Sequence, residues 1–162
     1  GICMKNAAIN KIVRIKGNSM EPLLKDGDIA FASAMQSYTV GDIVIFFYQI
    51  NGVEKILSHR IVYEDDYHLY CKGDNSLNLE EITSNAIIGK ITSVERQGMK
   101  KIIKIRKDLL KEFCDLSKKC GDEWESGNTQ TARAIAKRCY INMLKICKSM
   151  EGKGSPSYVC VN

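Results

Sequence analysis

Apolar residues change their period once along this chain, near Gly98, and that change limits the folds open to it. Before it, short apolar runs of strand length are divided by Gly, Asp and Asn. They are Ile12-Val13-Arg14-Ile15, Ile29-Ala30-Phe31-Ala32, Ile43 to Tyr48, Ile56 to Val62, Tyr67 to Cys71 and Ile87 to Ile91. Asn51-Gly52 sits between two of them and suits a two-residue hairpin turn, whose central residues need positive φ. After Gly98, the residues Ile102, Ile105, Leu109, Phe113 and Leu116 recur at helical spacing with Lys and Arg between them. Lys118-Lys119 followed by Gly121 reads as the end of that helix, placed over Lys100–Lys119. A second helix is expected from the capping pair Asn128-Thr129 to about Met150. Its apolar face would hold Ala132, Ile135, Ala136, Cys139, Met143, Leu144 and Cys147. The expected fold is mainly β, a partly closed barrel or sandwich, with a C-terminal α-helical hairpin. Residues 1–10 are read as an N-terminal arm or expression scar, 11–97 as the β-domain, 98–152 as the helical hairpin and 153–162 as a flexible tail.

Charge follows the same division. Residues 1–95 carry 9 basic and 12 acidic side chains, and residues 96–162 carry 15 and 7, within an overall +5. A mildly acidic unit joined to a basic one suggests two parts with different tasks. With 44% apolar and 27% charged residues, disordered and fibrous classes are excluded. No apolar run approaches the roughly 18–20 residues needed to span a bilayer. Nor does the start of the chain hold a signal-peptide core, so the expected location is cytoplasmic or peripheral to the inner membrane face.

The chemistry is expected at Lys16-Gly17-Asn18-Ser19-Met20-Glu21-Pro22. A glycine before Ser-Met, then Glu-Pro, describes a strand end where the backbone turns and presents a hydroxyl. A serine hydroxyl is a poor nucleophile at neutral pH and needs a neighbouring base. The chain has two histidines, His59 and His68. His59 lies within the apolar strand Leu57 to Val62, where an imidazole needs a reason, while His68 follows the acidic turn Glu64-Asp65-Asp66. Lys55, in a polar hairpin region, is the alternative base.

These segments resemble a known family. Gly17 to Pro22, Gly27-Asp28, Val40 to Phe46, Ser58 to Val62, Lys72-Gly73-Asp74-Asn75 and Ile88-Gly89-Lys90 follow the order found in type I signal peptidases. More widely they are similar to the clan of signal peptidases and LexA-like serine endopeptidases, over roughly residues 12–95. His59-Arg60 looks like the dipeptide of the endoplasmic-reticulum, archaeal and sporulation-type members, which use histidine rather than lysine as base. An imidazole, titrating near pH 6.5 in model compounds, can serve at neutral pH without heavy desolvation.

The resemblance implies a signal-peptidase-like β-domain in which Ser19 attacks the scissile carbonyl and His59 takes its proton. It implies Asp74 as the acid that orients the imidazole, with Glu80 as the alternative where the family has a second Asp. The oxyanion would be held around Asn18, Ser19 and Met20, since Gly17 replaces the serine that many members have two positions before the nucleophile. No metal or other cofactor is expected. The implied substrate is an extended precursor or leader peptide cut after small residues. The competing reading is a LexA-like self-cleaving domain, or a non-enzymatic regulatory or adaptor domain. Ala32-Ser33-Ala34 has the look of a cleavage site, but a buried strand is the simpler account.

The basic stretch 96–119 holds nine Lys/Arg. It is expected to pack on the β-domain with a solvated face, to lie on an anionic membrane surface, or to grip an acidic partner. Nucleic acid is not expected, because few aromatics accompany the charge. The seven cysteines, at 3, 71, 114, 120, 139, 147 and 160, include no Cys-x-x-Cys pair. They read as small buried hydrophobes, with a disulfide or metal clip between the helices as the alternative.

Overall fold

The computed structural model describes residues 11–151. Among the described residues eight strands form one antiparallel sheet: β1 (Lys11–Arg14), β2 (Ile29–Ser33), β3 (Ile43–Ile50), β4 (Val53–Glu64), β5 (Leu69–Lys72), β6 (Glu80–Ile82), β7 (Ile87–Arg96) and β8 (Met99–Ile102). The order across the sheet is β1-β2-β7-β3-β4-β5-β6, and β8 pairs with β7. The mainly β class with a C-terminal helical pair, α1 (Lys107–Glu125) and α2 (Thr129–Glu151), agrees with the period change in the sequence. The sheet is not closed. Asn51 and Gly52, at φ 53° and 78°, make the tight turn from β3 to β4. Pairing then runs unbroken from Ile50↔Val53 to Ile43↔Arg60.

β7 organises the sheet. Along one edge Ile29 to Ser33 of β2 pair with it. Along the other, β3 takes Ile87 to Lys90, while β8 takes Ser93 to Arg96. β3 and β8 therefore meet end to end on that edge, and the sheet divides between them at Ile91 and Thr92.

Three sequence expectations change here. The stretch 98–106 is not helical: Met99–Ile102 folds back on β7 through a turn in which Gln97 and Gly98 take φ 53° and 78°. The basic segment 100–119 is thus split between a strand and a helix rather than forming one amphipathic helix. Gly121 does not end α1, which continues to Glu125. A Cβ at Gly121 would overlap Leu79, so the glycine serves close helix–loop packing, and the left-handed residue that follows the helix is Gly127. β6 went unforeseen because its Glu80-Glu81-Ile82 carries no apolar run. The expected arm and tail lie outside the described residues.

The two parts share one core. Ile15, Met20, Leu23, Leu24, Ile43, Ile45, Ile91 and Val94 of the β-domain cluster with Phe113, Cys120, Ile135, Cys139, Met143 and Ile146 of the helices. Each such large side chain, fully buried, contributes about 1.5–3 kcal/mol. Phe46, Val44, Ile61, Cys71 and Ile82 form a smaller cluster on the other side of the sheet. Ala32 lies in β2 between β1 and β7, so the Ala32-Ser33-Ala34 segment belongs to paired, largely buried backbone. Cys71, Cys114, Cys120, Cys139 and Cys147 are all buried thiols. Burial pushes Cys114 and Cys139 up to about 11. Among the described residues no helix is long and apolar enough to cross a membrane.

Candidate active site

Ser19 stands in the turn that follows β1. The chain leaves β1 through Gly17, at φ 80°, whose N–H donates to Asp26 at 2.7 Å. Glu21 N–H then donates to Asn18 O at 3.2 Å and Leu24 N–H to Met20 O at 3.0 Å. Leu23 and Leu24 are fully buried and anchor the far end of this turn. Ser19 is left half-buried at its crest.

β4 supplies the partner. Successive strand residues face opposite sides of a sheet, so His59 and Arg60 serve two different surroundings. His59 Nε2 lies 3.1 Å from Ser19 Oγ, and its Nδ1 lies 2.9 Å from Glu80 Oε1 on β6. An ionised carboxylate can only accept, so the tautomer with its proton on Nδ1 satisfies Glu80 and turns the Nε2 lone pair toward the Ser19 hydroxyl. His59 is 8% and Glu80 6% exposed, which keeps this chain of contacts largely dry. The Phe46 ring packs on the imidazole in an edge-to-face arrangement, with ring centroids 6.3 Å apart.

Asp74 stands elsewhere. Arg60 Nε and Nη2 donate to its two carboxylate oxygens at 2.9 and 2.8 Å, and Arg60 Nη1 donates to Gly41 O at 2.9 Å. Both side chains are essentially inaccessible. Asp74 is therefore not the acid at the imidazole; Glu80, the alternative, is. The physical reason is valence: a buried guanidinium needs its full fork answered, and Asp74 is committed to it. Burial works to lower the Arg60 pKa, but its pairing with Asp74 outweighs this and raises it.

The Lys72–Asn75 box holds the serine from the other side. Asn75 N–H donates to Ser19 O at 2.8 Å, and Asn75 Nδ2 donates to Asn18 O at 3.1 Å. A Cβ at Gly73 would stand 2.7 Å from Ser19 O and 3.1 Å from His59 Nε2, so only glycine fits against the pair. Lys72 is fully buried and donates from Nζ to Gly73 O at 3.0 Å and Ser76 O at 2.6 Å, pinning this turn. The box was legible as a motif, but the contacts of Lys72, Gly73 and Asn75 were not.

The remaining candidates separate as follows. Met20 is 2% exposed, and its sulfur accepts from Asp74 N–H at 3.4 Å, so only its backbone could face a substrate. Asn18 is exposed beside Ser19. Lys55 lies in exposed β4, opposite Tyr48 and four residues from His59, with no contact to Ser19 among the described residues. His68 faces Asp65 and Glu81 rather than the serine. Among the described residues no group of three or more His, Cys, Asp or Glu could hold a metal ion.

Comparison with curated proteins and with solved structures returns no match. A family model described as Peptidase S24-like matches residues 3–92, more than half of the chain, which supports the clan read from the motifs. Ser19, His59, Asp74 and Glu80 all fall inside that span. The chain belongs to the Peptidase S24-like family and carries a serine-peptidase-type domain.

Proposed function

We propose that this protein is a serine endopeptidase of signal-peptidase type, which cuts an extended leader or signal segment after small residues. The observation that carries this reading is the continuous line Ser19 Oγ, His59 Nε2, His59 Nδ1, Glu80 Oε1, with contacts of 3.1 and 2.9 Å. Ser19 attacks the scissile carbonyl while His59 Nε2 takes its proton. Glu80 holds the imidazole in the tautomer that accepts at Nε2 and stabilises the imidazolium that forms. The proton then passes from Nε2 to the leaving amine as the C–N bond breaks, and a water that gives its proton to His59 hydrolyses the acyl group from Ser19. Backbone N–H groups around Ser19 and Met20 would receive the oxyanion, since position 17 has no hydroxyl to offer. Among the described residues β1 is the terminal strand of the sheet, and it runs directly into the Ser19 turn. A substrate added along β1 would thus be led past the hydroxyl, with main-chain pairing supplying affinity.

The test uses peptides bearing an Ala-x-Ala segment, with products read by mass spectrometry for wild type, Ser19→Ala and His59→Ala. Wild type should yield discrete fragments, and each variant should lose about 10⁴-fold or more of the rate. Equal behaviour of all three would sink the proposal. A second reading, self-cleavage of LexA-like kind, draws on the S24-like family match. It predicts chain fragmentation without added peptide, at a first-order rate independent of protein concentration.

A further inference from the structure

A cleft of about 980 Å³ opens where β3 and β8 part along the edge of β7, roofed by the first half of α1. None of Ser19, His59 or Glu80 lines it. Its size stands at the upper end of the range of small-molecule sites, about 300–1,000 Å³. The walls are aliphatic: Ile43, Val62, Ile91, Ile103, Ile105 and Leu110. Among the described residues Tyr63 is the sole aromatic lining residue, and its ring is already covered by Lys118 Nζ at 4.4 Å and by Tyr70 at 5.7 Å. A ring-bearing ligand finds no free stacking platform here.

The backbone of the cleft is also spoken for. Gly41 N–H donates to Ile61 O, Gly41 O accepts from Arg60, Asp42 O accepts from Ile61 N–H, and Ile103 N–H donates to Thr92 O. An added peptide strand would find these groups engaged, whereas a hydrocarbon chain requires none of them. The charges at the mouth decide the rest. Lys90 is matched by Asp42 at 3.1 Å, Lys111 by Asp115 at 3.0 Å and Arg60 by Asp74, while Glu64 accepts from Thr39 Oγ1 and keeps its negative charge, which the two lysines of the rim outnumber. Lys104 and Lys107 are exposed at the rim and have no ion-pair partner among the described residues. Lys107 is also the first residue of α1, so the positive end of the helix dipole lies at the same rim.

We propose that this cleft binds a single-chain anionic amphiphile, a fatty-acid carboxylate, with the alkyl chain along the aliphatic walls and the carboxylate against Lys104 and Lys107. The site is independent of whether Ser19 cuts a leader peptide. Calorimetric titration with dodecanoate, kept below its critical micelle concentration, provides the test, with dodecyltrimethylammonium as the cationic counterpart. Wild type should bind dodecanoate saturably, one to one, in preference to the cation. The double variant Lys104→Glu/Lys107→Glu, which alters only exposed side chains, should bind dodecanoate about tenfold more weakly and the cation more tightly. Absence of saturable binding overturns the proposal, as does equal affinity of wild type and variant for dodecanoate. Attachment only to vesicles of anionic phospholipid, or only to a Glu-rich peptide, overturns it too.

Discussion

Two buried acid–base pairs lie on either side of one strand, and they are built for opposite ends. Glu80 meets His59 through a single contact of 2.9 Å, with the far side of the imidazole left to Ser19. Asp74 meets Arg60 through a two-pronged fork with both side chains sealed from water, and the guanidinium lies over the Phe113 ring at 5.7 Å. The first pair has one nitrogen free to change partners, as proton traffic requires. The second has its strongest donors answered and a cation that does not deprotonate, so it can only hold. On the proposed function, neighbouring residues of β4 thus divide chemistry from architecture.

Breaking each pair separately tests that division. Glu80→Gln should leave thermal unfolding within a few degrees of wild type, yet lower peptide cleavage by about 10⁴-fold. Its amide can donate to Nδ1 and so present the wrong tautomer to Ser19. If cleavage persists near the wild-type rate, the imidazole is not oriented by Glu80. Asp74→Ala should act the other way, leaving a buried guanidinium unanswered at about 3–5 kcal/mol of stability in urea unfolding. An unchanged unfolding midpoint would show that water or another group replaces the carboxylate. Gly73→Ala brings a methyl against Ser76 Oγ, Ser19 O and His59 Nε2 and should cost about 10²-fold in kcat with smaller change in KM.

The smallest effect concerns the helices. Cys114 and Cys139 are held near 11 by burial, whereas an exposed thiol titrates near 8.5–9. Above pH 9 the unfolded chain releases thiol protons that the folded chain keeps. Stability from these groups is therefore complete below pH 9 and declines as pH rises toward 11. Unfolding midpoints measured between pH 8 and 10.5 should fall, and replacing both thiols by Ala should flatten the slope.

Most strands, the helical pair and the Ser19–His59 juxtaposition were legible because each rests on a local pattern: alternation, the Asn51-Gly52 turn, and motifs in order. What misled was long-range. Met99–Ile102 has helix-compatible spacing, but β7 offers it an open edge, and pairing outweighs propensity there. Asp74 and Glu80 look interchangeable in a line of letters. Only the register placing Lys72 opposite Arg60, and Glu80 opposite Cys71, shows which carboxylate reaches which side of β4. The role of Gly73 depends on two side chains distant in sequence, and no local pattern encodes it.

The shared core carries a consequence for modularity. The family match ends at residue 92, but Phe113, Ile135, Met143 and Ile146 wall in the same cluster as Met20, Leu23 and Leu24, the residues beneath the Ser19 turn. The recognisable portion is thus not a portable cassette. Grafted onto another scaffold without α1 and α2, it would carry an uncovered apolar floor directly under its own serine. Any recombination of this domain must therefore move the helical pair with it.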